Sequence, residues 1–337
     1  RQGEGISYSF HVGIGSNFLA LYVYYLASPL NWIGLLVPQP YLIEWMSYLV
    51  IFRIGLCGLT SFLYFVQKSG NSEHISSALV FSCFYALSGY MAAYNWNVMW
   101  LDCVVLLPVV VLGLERMVQD KNPGLYCVSL AFCIWTNYYI SIMVCIFLVF
   151  YFLVLLFQEK KGAYFVDALS CRLKLTLRFG VYSLLAGGMA AALVIPEVCA
   201  ILTTDFGKVD FPNRLEIYFS VLDELARHCL SVTTERGLEH WPNIYCGTPV
   251  FLLLPMYVQN DRISIRKRFC HMALLGIFLV GFAMNIPDFI WHGLNYPDSL
   301  PARQSFIYLF LVLSACYEAY LNLEQIPRKQ ILYGYLG

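Results

Sequence analysis

The run Asn95-Trp96-Asn97-Val98-Met99-Trp100-Leu101-Asp102 sets two amides, two indoles and a carboxylate close together. Indole faces stack on the C–H groups of a pyranose, while Asn and Asp hydrogen-bond its hydroxyls. The run therefore suits sugar binding by Asn95, Trp96, Asn97 and Trp100. Asp102 is the candidate catalytic acid, able to take a proton from an attacking hydroxyl. Trp96 and Trp100, four residues apart, are expected on one helical face. The tryptophans alone would also fit an interfacial aromatic belt, with Asp102 capping or pairing. A belt does not need the amides or the acid.

A second set lies between Trp291 and Ser305. Arg303 stands where an apolar run begins, at headgroup depth, and a guanidinium there can bond a lipid phosphate through two N–H groups. Snorkelling from a helix end is the other reading. His292 can take up a proton, bind phosphate, or satisfy a loop carbonyl. In Trp241-Pro242-Asn243-Ile244-Tyr245-Cys246-Gly247 the chain re-enters an apolar run, which makes Asn243 and Tyr245 candidate sugar or acceptor contacts. Glu197, directly after Pro196, sits at the mouth of its run. Arg53, about twelve residues into another, is roughly 18 Å deep and must find a partner, with Asp102 and Glu44 as candidates.

These residues need a membrane to position them. The 337 residues are 59% hydrophobic, 17% aromatic and only 12% charged, with mean hydropathy +0.64. Soluble domains carry about 25% charged residues, so one water-exposed core is excluded. The expected class is all-α: a polytopic membrane protein with nine apolar runs. They cover about 41–66, 77–94, 98–118, 125–136, 138–157, 179–196, 248–258, 270–286 and 304–323. The apolar stretch 125–157 is too long for one span and is split at Trp135-Thr136-Asn137-Tyr138-Tyr139. Run 248–258 carries Pro249 and Pro255 and reads as a kinked or partial crossing.

Residues 1–40 read as an outer segment with interfacial helices, 41–196 as membrane helices with a basic inner loop at 158–178. Residues 197–247 read as an acidic outer loop and 248–337 as C-terminal membrane helices. With 1–40 outside, 14 of the 21 Lys and Arg fall inside and 6 outside, as the positive-inside rule requires. Most of the 12 cysteines lie in apolar runs without CxxC spacing, and only Cys229 and Cys246 are placed for an external disulfide. A net charge of +0 gives no reason to expect nucleic acid. Walker A, HExxH and GxSxG sequences are absent, and Gly13-Ile14-Gly15 lacks the further glycine of a dinucleotide loop. Without an inner Asp-x-Asp, a nucleotide-sugar donor is disfavoured. Arg1 opens the sequence without a methionine or signal peptide, so a fragment of a longer protein is expected.

Tyr8-Ser9-Phe10, Tyr24 to Pro29, Tyr94 to Asp102 and Trp291-His292-Gly293 together resemble motifs of the YfhO family of bacterial membrane proteins. The likeness rests on Tyr8-Ser9-Phe10 with Gly13, Gly15, Asn17 and Phe18, on Tyr24 to Pro29, and on Tyr94 to Asp102. It continues through Asn137-Tyr138-Tyr139, Pro242 to Gly247, Trp291-His292-Gly293 and Pro301-x-Arg303-x-Ser305-Phe306, in order along the chain. The resemblance implies a GT-C-type glycosyltransferase of the bacterial plasma membrane with its active site facing outside. Such enzymes move a sugar from a polyprenyl-phosphate carrier to an acceptor, here a cell-wall or membrane-anchored polymer such as teichoic acid. Arg303 and His292 would then hold the donor phosphate. The resemblance further implies a preceding span and outer loop bearing the main catalytic acid, and more spans after residue 337. His11 departs from the small or hydroxyl residue expected there. A divalent metal is compatible with this chemistry, though no ligand spacing indicates one. The rival readings are a lipid-linked sugar flippase or transporter, and a non-catalytic assembly scaffold.

Overall fold

A stripe along the third helix shows how this chain folds. Leu49, Arg53, Cys57, Ser61 and Tyr64, spaced three or four apart, are buried, while Ile43, Tyr48, Ile51, Leu59 and Leu63 are exposed. Arg53, Ser61 and Tyr64 point in with Leu49 and Cys57, while large apolar side chains point out, an outer face that a water-soluble helix would make polar. Hydrocarbon is the solvent that permits it.

The computed structural model describes residues 7–12, 15–119, 121–158, 165–204, 209–297 and 299–323. In order, the helices are α1 (Phe18–Tyr25), α2 (Pro29–Trp32), α3 (Leu42–Ser69), α4 (Ile75–Ala86), α5 (Gly89–Tyr94), α6 (Val98–Val118) and α7 (Gly124–Thr136). They continue with α8 (Tyr138–Gln158), α9 (Phe165–Ile201), α10 (Val221–Ala226), α11 (Pro249–Gln259), α12 (Ile265–Ala283), α13 (Asn285–Trp291) and α14 (Ser305–Leu321). Among the described residues there is no strand, only two isolated bridges, Ser9 with Ser16 and Ile217 with Met284. The chain is an all-α, polytopic membrane protein.

Among the described residues five segments, not nine, are long and apolar enough to cross: Gln39–Ser69, Ile75–Tyr94, Val98–Val118, Tyr138–Gln158 and Ser170–Ile201. A sixth is possible in length if Phe18–Tyr25 and Pro29–Leu36, bent by 108°, count as one. The segments expected at 125–136, 248–258 and 304–323 form helices of 13, 11 and 17 residues. Thirteen residues reach about 20 Å, well short of a 30 Å core. Over 270–286, α12 opens on Arg266, Lys267 and Arg268 and ends at Ala283. Of the stretch 158–178, read from the sequence as an inner loop, 159–164 lie outside the described residues. From Phe165 onward it is the first part of the 37-residue α9.

The expected break within 125–157 does form, and it matters. Asn137 adopts an extended backbone between α7 and α8, and its Oδ1 accepts the Ile140 N–H at 2.9 Å, capping α8. Its amide Nδ2 donates to the Tyr24 carbonyl, and Trp135 donates to the Ala27 carbonyl. The break thereby holds α1 and its following turn against the helix ends. Around it, α6 packs on α7, α3 and α8, α7 packs on α9, and α14 packs on α11, α12 and α4. At Gly113 a Cβ would come within 2.6 Å of the Tyr126 backbone nitrogen, so only glycine lets α6 and α7 meet there.

Arg116, Lys121, Arg172, Arg178, Arg262, Arg266 and Arg268 gather at one end of the bundle, called the basic end below. Arg1, Lys160, Lys161, Lys208, Arg328 and Lys329, used in the charge count, lie outside the described residues. Cys229 is exposed and Cys246 buried, both with free thiols, so the disulfide considered for them does not form.

Candidate functional site

At the end opposite the basic end, α1, the start of α8, the last turn of α9 and the loop from His292 to Arg303 enclose a cavity of about 590 Å³. That is within the range of small-ligand sites, about 300–1,000 Å³. Its wall mixes apolar side chains with a few convergent polar ones: Tyr24, Tyr138, Tyr139, Glu197, His292 and Arg303.

Arg303 is held by three of its N–H groups. Nε donates to the Leu300 carbonyl, Nη2 to the Ser299 carbonyl at 2.9 Å, and Nη1 to the Tyr139 hydroxyl at 2.9 Å. A guanidinium has five such donors, so one remains on each terminal nitrogen, the fork that a phosphate or carboxylate accepts. Its flat face lies 5.3 Å from the ring centroids of both Trp100 and Tyr139. That is cation–π packing, which orients the fork without using its donors.

His292 is buried and fixed from behind. Its Nδ1 lies 2.8 Å from the Asp288 carbonyl and 3.0 Å from an Asp288 carboxylate oxygen. Both are acceptors, so Nδ1 carries hydrogen. Nε2 is buried without a partner among the described residues. Glu197 stands on the same cavity, with the Tyr138 hydroxyl facing its carboxylate. Its Oε2 is likewise buried with no partner among the described residues. Buried polar atoms are nearly always satisfied, so two such orphans on one cavity wall suggest that a ligand supplies the missing bonds.

The remaining sequence candidates lie elsewhere. Asp102 is buried, its two oxygens bonded by Arg53 Nε at 3.1 Å and Nη2 at 2.8 Å. The partner of Arg53 is thus Asp102, not Glu44. Trp96 and Trp100 do not share a helical face, because α5 ends at Tyr94 and α6 begins only at Val98. Trp96 is exposed and donates to the Ala93 carbonyl. Trp100 is buried under the cavity, donating to the Tyr24 hydroxyl at 3.2 Å. Asn95 donates to the Met91 carbonyl, and Asn97 is buried with Nδ2 unpartnered among the described residues. Asn243 pins its own loop: Oδ1 accepts from Glu235 and Arg227, and Nδ2 donates to the Glu235 carbonyl. The carbonyl of Tyr245 accepts from Gly89, which ties the re-entry turn to the start of α5.

Sequence reasoning missed the tyrosines of the cavity and a second buried network. Glu115 accepts from Tyr64 at 2.9 Å, Tyr151 at 2.6 Å and Lys68 at 3.0 Å, joining α3, α6 and α8. Glu115 and Lys68 lie close to the ends of α6 and α3 and were not singled out in the sequence.

Glu224, on the short α10, is buried with Oε1 unpartnered among the described residues, and burial pushes its pKa up to about 8. The native state therefore binds a proton that the unfolded chain, with an ordinary pKa of 4.5, has released. Stability should fall as pH rises from about 4.5 to about 8 and level off above. Thermal unfolding of Glu224→Gln across that window should show a flatter profile than the parent, and an unchanged slope would exclude Glu224 as its source.

Among the described residues no three His, Cys, Asp or Glu side chains gather closely enough to hold a metal ion. No curated protein and no solved structure matches the chain. A family model does, described as bacterial membrane protein YfhO, and it matches residues 1–337. With that match over its whole length, the chain belongs to the YfhO family of bacterial membrane proteins.

Proposed function

We propose that the protein is a membrane glycosyltransferase of the bacterial plasma membrane, moving a sugar from a polyprenyl-phosphate carrier to a teichoic-acid-type wall or membrane-anchored polymer on the outer face. The observation that carries this reading is the cavity in which a two-pronged cation, Arg303, and an unpartnered carboxylate oxygen, Glu197 Oε2, share one wall. Charge asymmetry between the bundle ends supports an outward-facing cavity. In the reaction, the bond between sugar C1 and the carrier phosphate oxygen breaks, and its electron pair leaves with the polyprenyl phosphate. The acceptor oxygen bonds C1 and gives its proton to Glu197. Arg303, with His292 fixed beside it by Asp288, stabilises the charge that builds on the leaving phosphate.

The flippase reading predicts polar residues at mid-depth; Arg53 with Asp102 is a buried ion pair inside the bundle, while Lys68 with Glu115 lies near the ends of α3 and α6. Arg53 bonds Asp102, Ser28 and Asn31, Glu115 accepts from Lys68, Tyr64 and Tyr151, and none of these four ion-pair residues lines the cavity. They support the helices better than a path.

The test uses cells lacking their own copy, complemented with the full protein or its Arg303→Ala variant at equal membrane levels. Sugar on purified wall polymers should return with the parent and be lost with the variant. If the parent restores none, the transferase reading fails for this acceptor and the flippase comes first.

A further inference from the structure

A second cavity, of about 510 Å³, lies at the basic end, between the last turns of α8, the first turns of α9 and the face of α12. Its walls are almost entirely apolar, with Arg172 of α9 and Arg266 of α12 as its two charged residues. From Arg266 the wall runs through Phe269 and Ala273 to Ile277, eleven residues along α12 and about 16 Å at 1.5 Å per residue. Phe157 and Phe269 on its walls are exposed, 60% and 71%. Other cations nearby are committed: Lys267 to Glu318, Arg268 to Asp261 and Lys68 to Glu115. Among the described residues, no ion pair or hydrogen bond engages the guanidinium of Arg172 or Arg266.

We propose that this cleft binds one acidic phospholipid of the leaflet at the basic end, independently of the glycosyl-transfer reading. Two guanidiniums from different helices bracket its phosphate by charge complementarity. One acyl chain lies along the apolar wall towards Ile277. A zwitterionic headgroup would add a positive charge beside both arginines. A soluble anion would leave the apolar length of the cleft unused. The bound lipid would bridge α9 to α12, which lie far apart in sequence.

The test uses purified full protein in phosphatidylcholine nanodiscs, titrated with phosphatidylglycerol and followed by native mass spectrometry and thermal unfolding. One phosphatidylglycerol per chain should bind saturably and raise the unfolding midpoint. Arg172→Gln with Arg266→Gln should weaken that binding about tenfold to thirtyfold, since each such charge near an anionic surface contributes roughly one kcal/mol. Ala273→Trp, which fills the cleft but keeps both charges, should remove the saturable site. Arg262→Gln should change neither. The proposal is overturned if phosphatidylcholine binds equally, if inorganic phosphate displaces the lipid, or if Ala273→Trp binds as the parent does. Equal loss with Arg262→Gln would also overturn it, by showing a general effect of surface charge.

Discussion

Replacing Glu197 with Gln is expected to lower sugar transfer by about 10²- to 10⁴-fold, the usual contribution of a positioned base. The substitution keeps the shape of the side chain and its place opposite Tyr138 but removes the acceptor for the proton. Because the donor phosphate is assigned to Arg303 and His292, the loss should fall on kcat, with KM for the polyprenyl-phosphate sugar nearly unchanged. Arg303→Ala should behave differently and weaken donor binding as well. The measurement is single-substrate kinetics in proteoliposomes containing the full protein, with equal reconstitution confirmed for each variant. Should Glu197→Gln transfer sugar at the parental rate, the base lies elsewhere. Glu197 is preferred because it lines the same cavity as Arg303 and has a carboxylate oxygen without a partner among the described residues.

The break at Asn137 was legible in the sequence because Trp135-Thr136-Asn137-Tyr138-Tyr139 interrupts an apolar stretch of 33 residues, too long for one span, and Asn137 both breaks and caps there. Arg303 and His292 were marked in the sequence beside one apolar boundary, with snorkelling and a loop-carbonyl bond as their other readings, and the structure brings both to one cavity. Asp102 shows where such reasoning stops. An acid inside a membrane helix is costly whether it catalyses or pairs, and the sequence holds no distance to Arg53 that would separate the two. The number of spans was misread through α14. Nearly every residue from Ser305 to Tyr317 is buried, so its apolar composition answers to protein neighbours on all sides rather than to lipid. A buried core helix and a membrane span share one composition when the surrounding solvent is itself apolar. The cavity was beyond reach for another reason. Its walls come from Asn17, Tyr138, Glu197 and Arg303, nearly 300 residues end to end, brought together by helix ends whose order in space no periodicity encodes.

The role of Asp102 can be separated by stability. Arg53 is fully buried and bonds Asp102 through two nitrogens, and its Nη2 also reaches Ser28 at 3.1 Å and Asn31 at 2.9 Å. One guanidinium therefore joins α3, α6 and the turn around α2. Removing its carboxylate by Asp102→Ala leaves a buried charge unpaired and should cost about 3–5 kcal/mol. Arg53→Ala should cost a similar amount by stranding the carboxylate. The double variant Arg53→Leu with Asp102→Leu should be less destabilised than either single one, because apolar side chains need no partner there. Unfolding in detergent, followed by loss of helical signal against denaturant, measures all three. Transfer activity should then track the folded fraction, since Asp102 supports the helices that carry Trp100 beneath Arg303. If Asp102→Asn stays fully folded yet loses transfer a hundredfold or more, the acid acts on the sugar itself. Its bond to Arg53 would then be the means of keeping it ionised, and the reacting centre would extend from the cavity into the interior of α6.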